Sequence, residues 1–165
     1  MRCNKFILGL AFLILCLDFI WSPEVPQSWG DSSLSRLFRE AKQQLQTKKW
    51  EQAIATYKQI LQKEPDNNYA HASIGVALSR MNSHKDALLS YEKALSLGFE
   101  SDMFRYNRGL SFARLNLLEE AESEYKKALE MNSRLILADY GLGVIYNRQL
   151  RIDEAQDQVE KIYPR

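Results

Sequence analysis

Three arginines recur along this chain of 165 residues at a fixed interval of 34. Arg80, Arg114 and Arg148 carry guanidinium groups, which bind carboxylates through paired hydrogen bonds, and Gln46 stands one interval earlier. Arginines at this spacing could therefore bind carboxylates along an extended segment of a partner. A structural interpretation competes with it, because a base near the end of a helix also complements the helix dipole.

The rest of the sequence lacks residue sets that would support catalysis or metal binding. The only cysteines, Cys3 and Cys16, lie near the N-terminus, so the following residues offer no thiol nucleophile and no disulfide. Two histidines, His71 and His84, are expected on successive helices rather than in one cluster. The sequence has no glycine-rich phosphate loop and no nucleophile elbow. We therefore expect no enzyme, no metal and no cofactor.

The composition indicates a folded domain with a net charge close to zero. Hydrophobic residues make up 45% of the chain and charged residues 26%, which is globular rather than disordered composition. The 22 basic and 21 acidic residues leave a net charge of +1. Because such a chain has no overall field to attract nucleic acid, we expect no nucleic-acid partner.

The N-terminal residues have the pattern of a targeting segment. Arg2 and Lys5 precede the unbroken apolar run Phe6–Leu17, which has the length of a signal-peptide core. Bases before the run place the N-terminus in the cytoplasm and the following residues across the membrane. We expect a signal peptide or anchor over residues 1–22 and a flexible tether over 23–33.

Three fates remain open for this segment. It is cleaved after export, retained as a membrane anchor, or lipidated at Cys16, although Leu15 stands where a lipoprotein signal has a small residue. In each case the remaining chain is periplasmic, secreted or membrane-anchored on the non-cytoplasmic side. The membrane is then a partner only through these N-terminal residues.

The remainder of the chain is an internal repeat of 34 residues. Its windows are 34–67, 68–101, 102–135 and the unfinished 136–165, and no insertion interrupts them. Small residues form two columns and bulky residues form a third. The columns are Ala41, Gly75, Gly109 and Gly143; Ala53, Ala87, Ala121 and Ala155; and Tyr57, Tyr91, Tyr125 and Val159.

The spacing of apolar residues within each window predicts paired helices. Asn82 and Asn116 suit left-handed helix ends, whereas Leu150 in the matching place is expected to be strained. Ser83 with Asp86 three residues later predicts a capping-box helix start. One helical pair cannot bury its own apolar face, so the repetition itself builds the core.

These columns resemble the tetratricopeptide repeat family from Leu34 to the end of the chain. The resemblance implies an all-α, right-handed superhelical α-solenoid of about four helix-turn-helix repeats. The early tryptophan of the family is replaced here by Leu37, His71, Arg105 and Asp139.

The resemblance also implies that the first helix of each pair lines a concave groove for a protein or peptide partner. The residues expected to face this groove are Phe38, Lys42, Tyr69, Ser73, Arg80, Tyr106, Asn107, Arg114, Tyr140, Asn147 and Arg148. Tyr57, Tyr91 and Tyr125 belong to second helices, where we expect a structural role.

The last helix, near 153–162, is expected to bury Ala155, Val159 and Ile162 and to cap the array with its own polar residues. The alternative is a cap supplied by a partner chain.

The leading functional hypothesis is a non-catalytic, exported or membrane-tethered scaffold that helps to assemble an envelope or secretory complex. The alternatives are a homo-oligomer that stacks through the unfinished repeat, and a non-catalytic subunit of an enzyme complex. Concentration-dependent mass would favour the first alternative.

Overall fold

A computed structural model describes residues 32–163 of the chain, and the predicted signal or anchor segment with Cys16 lies outside this range. The described residues form eight α-helices and no strand, which confirms the all-α repeat fold. No described helix is long and apolar enough to cross a membrane. The helices are α1 (Ser32–Gln46), α2 (Trp50–Lys63), α3 (Asn68–Arg80), α4 (His84–Ser96), α5 (Asp102–Arg114), α6 (Leu118–Met131), α7 (Ile136–Arg148) and α8 (Ile152–Ile162).

The helices pack in consecutive pairs, and each pair also packs against the next. The predicted columns make these contacts: Tyr57, Tyr91 and Tyr125 are almost completely buried. A Cβ atom added to Gly75 would lie 2.5 Å from the Tyr91 ring, and one added to Gly109 would lie 2.8 Å from the Tyr125 ring. The small residue therefore allows the tyrosine of the paired helix to lie directly against the backbone, which confirms the structural role of the tyrosines.

The turn inside each repeat uses a left-handed residue. Lys48, Asn82, Asn116 and Leu150 all have φ between 59° and 63°. The prediction for the last three is confirmed, and Lys48 completes the series. At Asn82 the following amide, that of Ser83, donates to the carbonyl of Leu78 over 2.9 Å, as in a Schellman helix end.

The predicted capping box at Ser83 is wrong. The Ser83 side chain makes no capping hydrogen bond at the start of α4. Side-chain caps occur instead at the starts of α3 and α5, where Asn67 Oδ1 accepts from the Ala70 amide at 2.9 Å and Ser101 Oγ from the Phe104 amide at 3.1 Å. Asn67 and Ser101 lie between repeats, and each enters its helix in the extended conformation that a capping residue requires. Ser83 follows the left-handed Asn82, and its φ and ψ are not extended, so its side chain does not cap α4.

A buried charge network joins α5 to α6. Arg105, which occupies the early tryptophan position of the third repeat, donates to Glu124 at 3.1 Å and to Glu100. Arg108 and Lys127 contact the same Glu124 carboxylate at 3.0 and 3.4 Å. Because Glu124 is almost completely buried, the three bases compensate the loss of its hydration.

The last helix differs from its expectation. Val159 is 55% exposed, and Ile152 on the same helix is 49% exposed. Ala155 and Ile162 are only half-buried. The prediction that α8 buries Val159 and caps the array with a polar surface is therefore wrong, since no further described helix covers this side of α8.

Candidate functional site

The first helices of the repeats form one continuous surface. Helices α3 and α5 contact each other, and so do α5 and α7. Side chains on the open side of these helices therefore lie next to one another in the order of the repeats. This surface contains most of the predicted groove residues and is the candidate binding surface.

A pocket of about 270 Å³ opens on this surface between α5 and α7. Gly141 lets α7 lie close to α6, because an added Cβ would lie 2.8 Å from the ring of Tyr125, an α6 residue that also lines the pocket. The lining residues are aromatic, aliphatic or basic, and none is a carboxylate: Tyr106, Leu110, Ala113, Arg114, Tyr125, Leu137, Tyr140, Gly141, Val144, Ile145 and Arg148. The pocket thus combines apolar contact area with positive charge.

The three arginines that recur at an interval of 34 residues have different environments. Arg148 donates to the Ala113 carbonyl at 3.2 Å and to Asn116 Oδ1 at 2.7 Å, so it binds the end of the preceding repeat's first helix. Arg80 and Arg114 are exposed, and their guanidinium groups have no hydrogen bond or ion pair within residues 32–163. The structural interpretation therefore holds for Arg148, whereas Arg114 presents a free guanidinium at the pocket.

Arg114 also influences its neighbours electrostatically. Burial lowers the pKa of His84, and the positive charge of Arg114 lowers it further. Burial raises the pKa of Tyr125, which the same charge opposes. The lowered pKa of His84 favours its neutral form, and the cationic side chains that line the pocket are those of Arg114 and Arg148.

Aromatic side chains occupy the first half of the same surface. The Tyr69 ring is 41% exposed and lies 6.2 Å from Phe38, 6.3 Å from Tyr57 and 6.0 Å from Phe99, measured between ring centroids. Lys42 is exposed on α1. Arg80 lines a shallow cleft with Gln46 and Trp50. The structure therefore places Phe38, Lys42, Tyr69 and Arg80 where a partner segment could reach them.

Three predicted groove residues are placed differently. Ser73 is buried, and it is therefore not available to a partner. Asn107 donates to the Met103 carbonyl of its own helix at 2.8 Å. Asn147 lines a separate groove between α7 and α8. In each case the rotation of the helix, which the column pattern alone does not give, decides the direction of the side chain.

The sequence analysis missed the apolar residues of the pocket. Leu110 and Val144 occupy equivalent places in the third and fourth repeats, with Val76 and Lys42 in the same column. This fourth column could have identified them, because it recurs at the same interval as the arginines. Leu137, which is 46% exposed, belongs to another such column, with Met103 and Tyr69 one and two repeats earlier.

The described residues do not include a group of three or more histidine, cysteine or carboxylate side chains that could hold a metal ion. Burial raises the pKa of the Asp139 carboxyl, and the positive charge of Lys161 opposes this rise.

The tetratricopeptide repeat family model matches residues 38–100, 77–134 and 106–165, which together span most of the chain. The chain belongs to the tetratricopeptide repeat family. Proteins built from this repeat are generally non-catalytic interaction modules. A search of curated proteins gave no match.

Solved structures share the fold. The chain is 24% identical to YrrB, a TPR protein with an unusual peptide-binding site, with a TM-score of 0.69 over 78% of this chain and 68% of that one. It is 22% identical to MamA, with a TM-score of 0.69 over 78% and 70%. The first TPR domain of Spaghetti (RPAP3), bound to the HSP90 peptide SRMEEVD, is 21% identical, with a TM-score of 0.66 over 71% of this chain and 93% of that one. At these identities the likeness shows the fold alone.

Proposed function

We propose that this chain is a non-catalytic interaction module that binds an extended segment of a partner protein along its first helices. The segment places a carboxylate beside Arg114 and apolar side chains in the pocket between α5 and α7. One observation carries this proposal: Arg114 is an exposed guanidinium without an ion pair among the described residues, next to a pocket whose lining includes no carboxylate.

The chemistry of the pocket supports an acidic and apolar ligand. Tyr106 and Tyr140 flank the pocket, and tyrosine and arginine are enriched among the residues that dominate binding energy. A hydrogen bond to a charged group contributes about 1.5–3 kcal/mol. Solved relatives of the same fold bind peptides, including SRMEEVD in the RPAP3 domain, which agrees with this choice of ligand.

A displayed library of random peptides tests the proposal with the full chain as bait. We expect the selected peptides to be enriched in Asp or Glu next to Leu, Phe or Tyr. The affinity of a selected peptide, measured by fluorescence anisotropy, should fall about tenfold or more in Arg114→Gln. Arg134→Gln removes an exposed arginine outside the pocket and should leave the affinity unchanged. Selected peptides without acidic residues, or equal affinity for Arg114→Gln, would contradict the proposal.

We also propose that the repeats lie on the non-cytoplasmic side of a membrane, where they help to assemble an envelope or secretory complex. Arg2 and Lys5 ahead of the apolar run Phe6–Leu17 support this location. Alkaline phosphatase fused after Arg165 tests it, because this enzyme needs disulfides that form outside the cytoplasm. Activity should require residues 1–31, and activity that does not depend on them would refute the location.

A further inference from the structure

The side of the array formed by α7 and α8 leaves apolar residues uncovered. Val159 occupies the column of Tyr57, Tyr91 and Tyr125, whose exposed fractions are 0%, 0% and 2%, yet Val159 itself is 55% exposed. In the earlier repeats the first helix of the following repeat covers this column. The α7–α8 side therefore has the apolar character of an interface that a further helix would bury.

A groove of about 420 Å³ marks this surface. Val144 on α7 faces Ile152, Val159 and Ile162 on α8 across it. The groove adjoins the pocket between α5 and α7, and Tyr140 and Val144 line both. Its apolar side chains Ile152, Val159 and Ile162 recur at helical spacing and form a stripe along α8, as on a helix face that packs against another helix.

One buried carboxyl group lines the same groove. Asp139 is 9% exposed, and its side-chain carboxyl group has no hydrogen bond or ion pair within the described residues. In the third repeat the equivalent residue, Arg105, is paired with Glu124, but Gln158 replaces that glutamate in the fourth repeat. Burial raises the pKa of Asp139, since the ionised form loses hydration; the charge of Lys161 opposes this rise but forms no ion pair with the carboxyl group within the described residues. A base supplied from outside the described chain would compensate this charge.

A second copy of the chain fits this groove poorly. In head-to-tail stacking α1 of the next copy would cover it, as α3 covers the first repeat. Where α3 presents Ala70 and Ile74 to that contact, α1 has two exposed polar side chains, those of Arg36 and Glu40. Tail-to-tail pairing instead brings together two copies of α8, a helix with the acidic residues Asp153, Glu154, Asp157 and Glu160 and the single base Lys161. Like charges then oppose the contact.

We propose that the groove between α7 and α8 is a second docking surface, which binds an amphipathic helix of a partner protein carrying lysine or arginine beside its apolar stripe. The stripe covers Val144, Ile152 and Val159, and a base of the helix pairs with Asp139. This mode is helix-in-groove recognition, and it is distinct from the binding of an extended segment at Arg114.

Two designed peptides test the proposal with the full chain. Each is a stapled helix of about 18 residues, or five turns, with alanine and isoleucine spaced as in the stripe of α3. One peptide has lysines beside the stripe and the other has glutamates. Fluorescence anisotropy should show the lysine peptide binding about tenfold or more tightly than the glutamate peptide. Val159→Glu should abolish binding of the lysine peptide, and Asp139→Asn should reduce the preference between the two peptides.

Arg114→Gln is the matched control, because it alters the other surface and should leave binding of the lysine peptide unchanged. The exposure of Val159 and the equal size of asparagine and aspartate make both groove variants compatible with folding, which circular dichroism verifies. Absence of binding, or equal binding of the two peptides, would overturn the proposal. So would a dimer in light scattering that Val159→Glu dissociates, since the occupant would then be a second copy. Binding that appears only after removal of residues 1–31 would assign the groove to the chain's own N-terminal segment.

Discussion

The contact between Gly75 and the Tyr91 ring predicts that Gly75→Ala destabilises the protein. Alanine favours a helix interior over glycine by about 1 kcal/mol, so the same change at an uncrowded position is stabilising. At Gly75, however, the added Cβ would lie 2.5 Å from two atoms of the Tyr91 ring. That ring is completely buried and packs edge-on against Phe104 at 5.4 Å, so it has no free space into which to move.

The fourth repeat provides the matched control for this prediction. Gly143 stands at the position equivalent to Gly75, but the nearest atom to its added Cβ is Gln158 Cβ at 3.5 Å, an ordinary contact. Gly143→Ala should therefore raise the free energy of unfolding by about 0.5–1 kcal/mol. Crowding of a packed core costs about 1–3 kcal/mol, so Gly75→Ala should lower it by up to about 2 kcal/mol. The difference between the two variants isolates the steric cost, because the change in helix propensity is common to both.

Urea unfolding followed by circular dichroism measures this difference in otherwise identical proteins. A further pair of variants makes the test specific: Tyr91→Val gives the second repeat the side chain of the fourth, and Gly75→Ala should then be neutral or stabilising. If Gly75→Ala stabilises the wild-type protein as much as Gly143→Ala does, the close contact does not limit the packing of the repeat. The explanation of the glycine and tyrosine columns would then be refuted.

Two further predictions concern a turn and a histidine. Leu150→Asn should stabilise the protein by about 1 kcal/mol in the same urea assay, because asparagine tolerates the left-handed φ of 60° and the leucine, which is 82% exposed, contributes little packing. Leu150→Ala keeps the cost of the left-handed backbone and should give no such gain. Equal effects of the two variants would contradict the backbone strain at this position. The pKa of His84 is lower in the folded protein than in the unfolded chain, so the unfolded state binds more protons and stability should fall as the pH drops through the range below about 6.5. His84→Gln should reduce this loss between pH 7.5 and 5.5, and an unchanged pH dependence would show that another group causes it.

The repeating pattern fixed more of this structure than any single motif. A column that recurs in every repeat reports a place that the fold uses every time, which explains why the buried tyrosines and the left-handed turns at Asn82 and Leu150 agree with their predictions. Single motifs were less reliable. Ser83 with Asp86 has the composition of a capping box, but the preceding left-handed turn leaves Ser83 outside the extended conformation that a cap requires.

The sequence alone determined the repeat, its helices and the positions of its turns, because these depend on local spacing and on contacts that every repeat makes with the next. Only the tertiary structure separated Arg114 from Arg148, since a hydrogen bond to Asn116 in the preceding repeat occupies one guanidinium and leaves the other free. It also decided the exposure of Val159. This side chain is apolar, like the tyrosines of its column, but no following helix among the described residues covers it. Both distinctions arise between elements that are distant in sequence, where residue type and spacing carry no information about which neighbour is present.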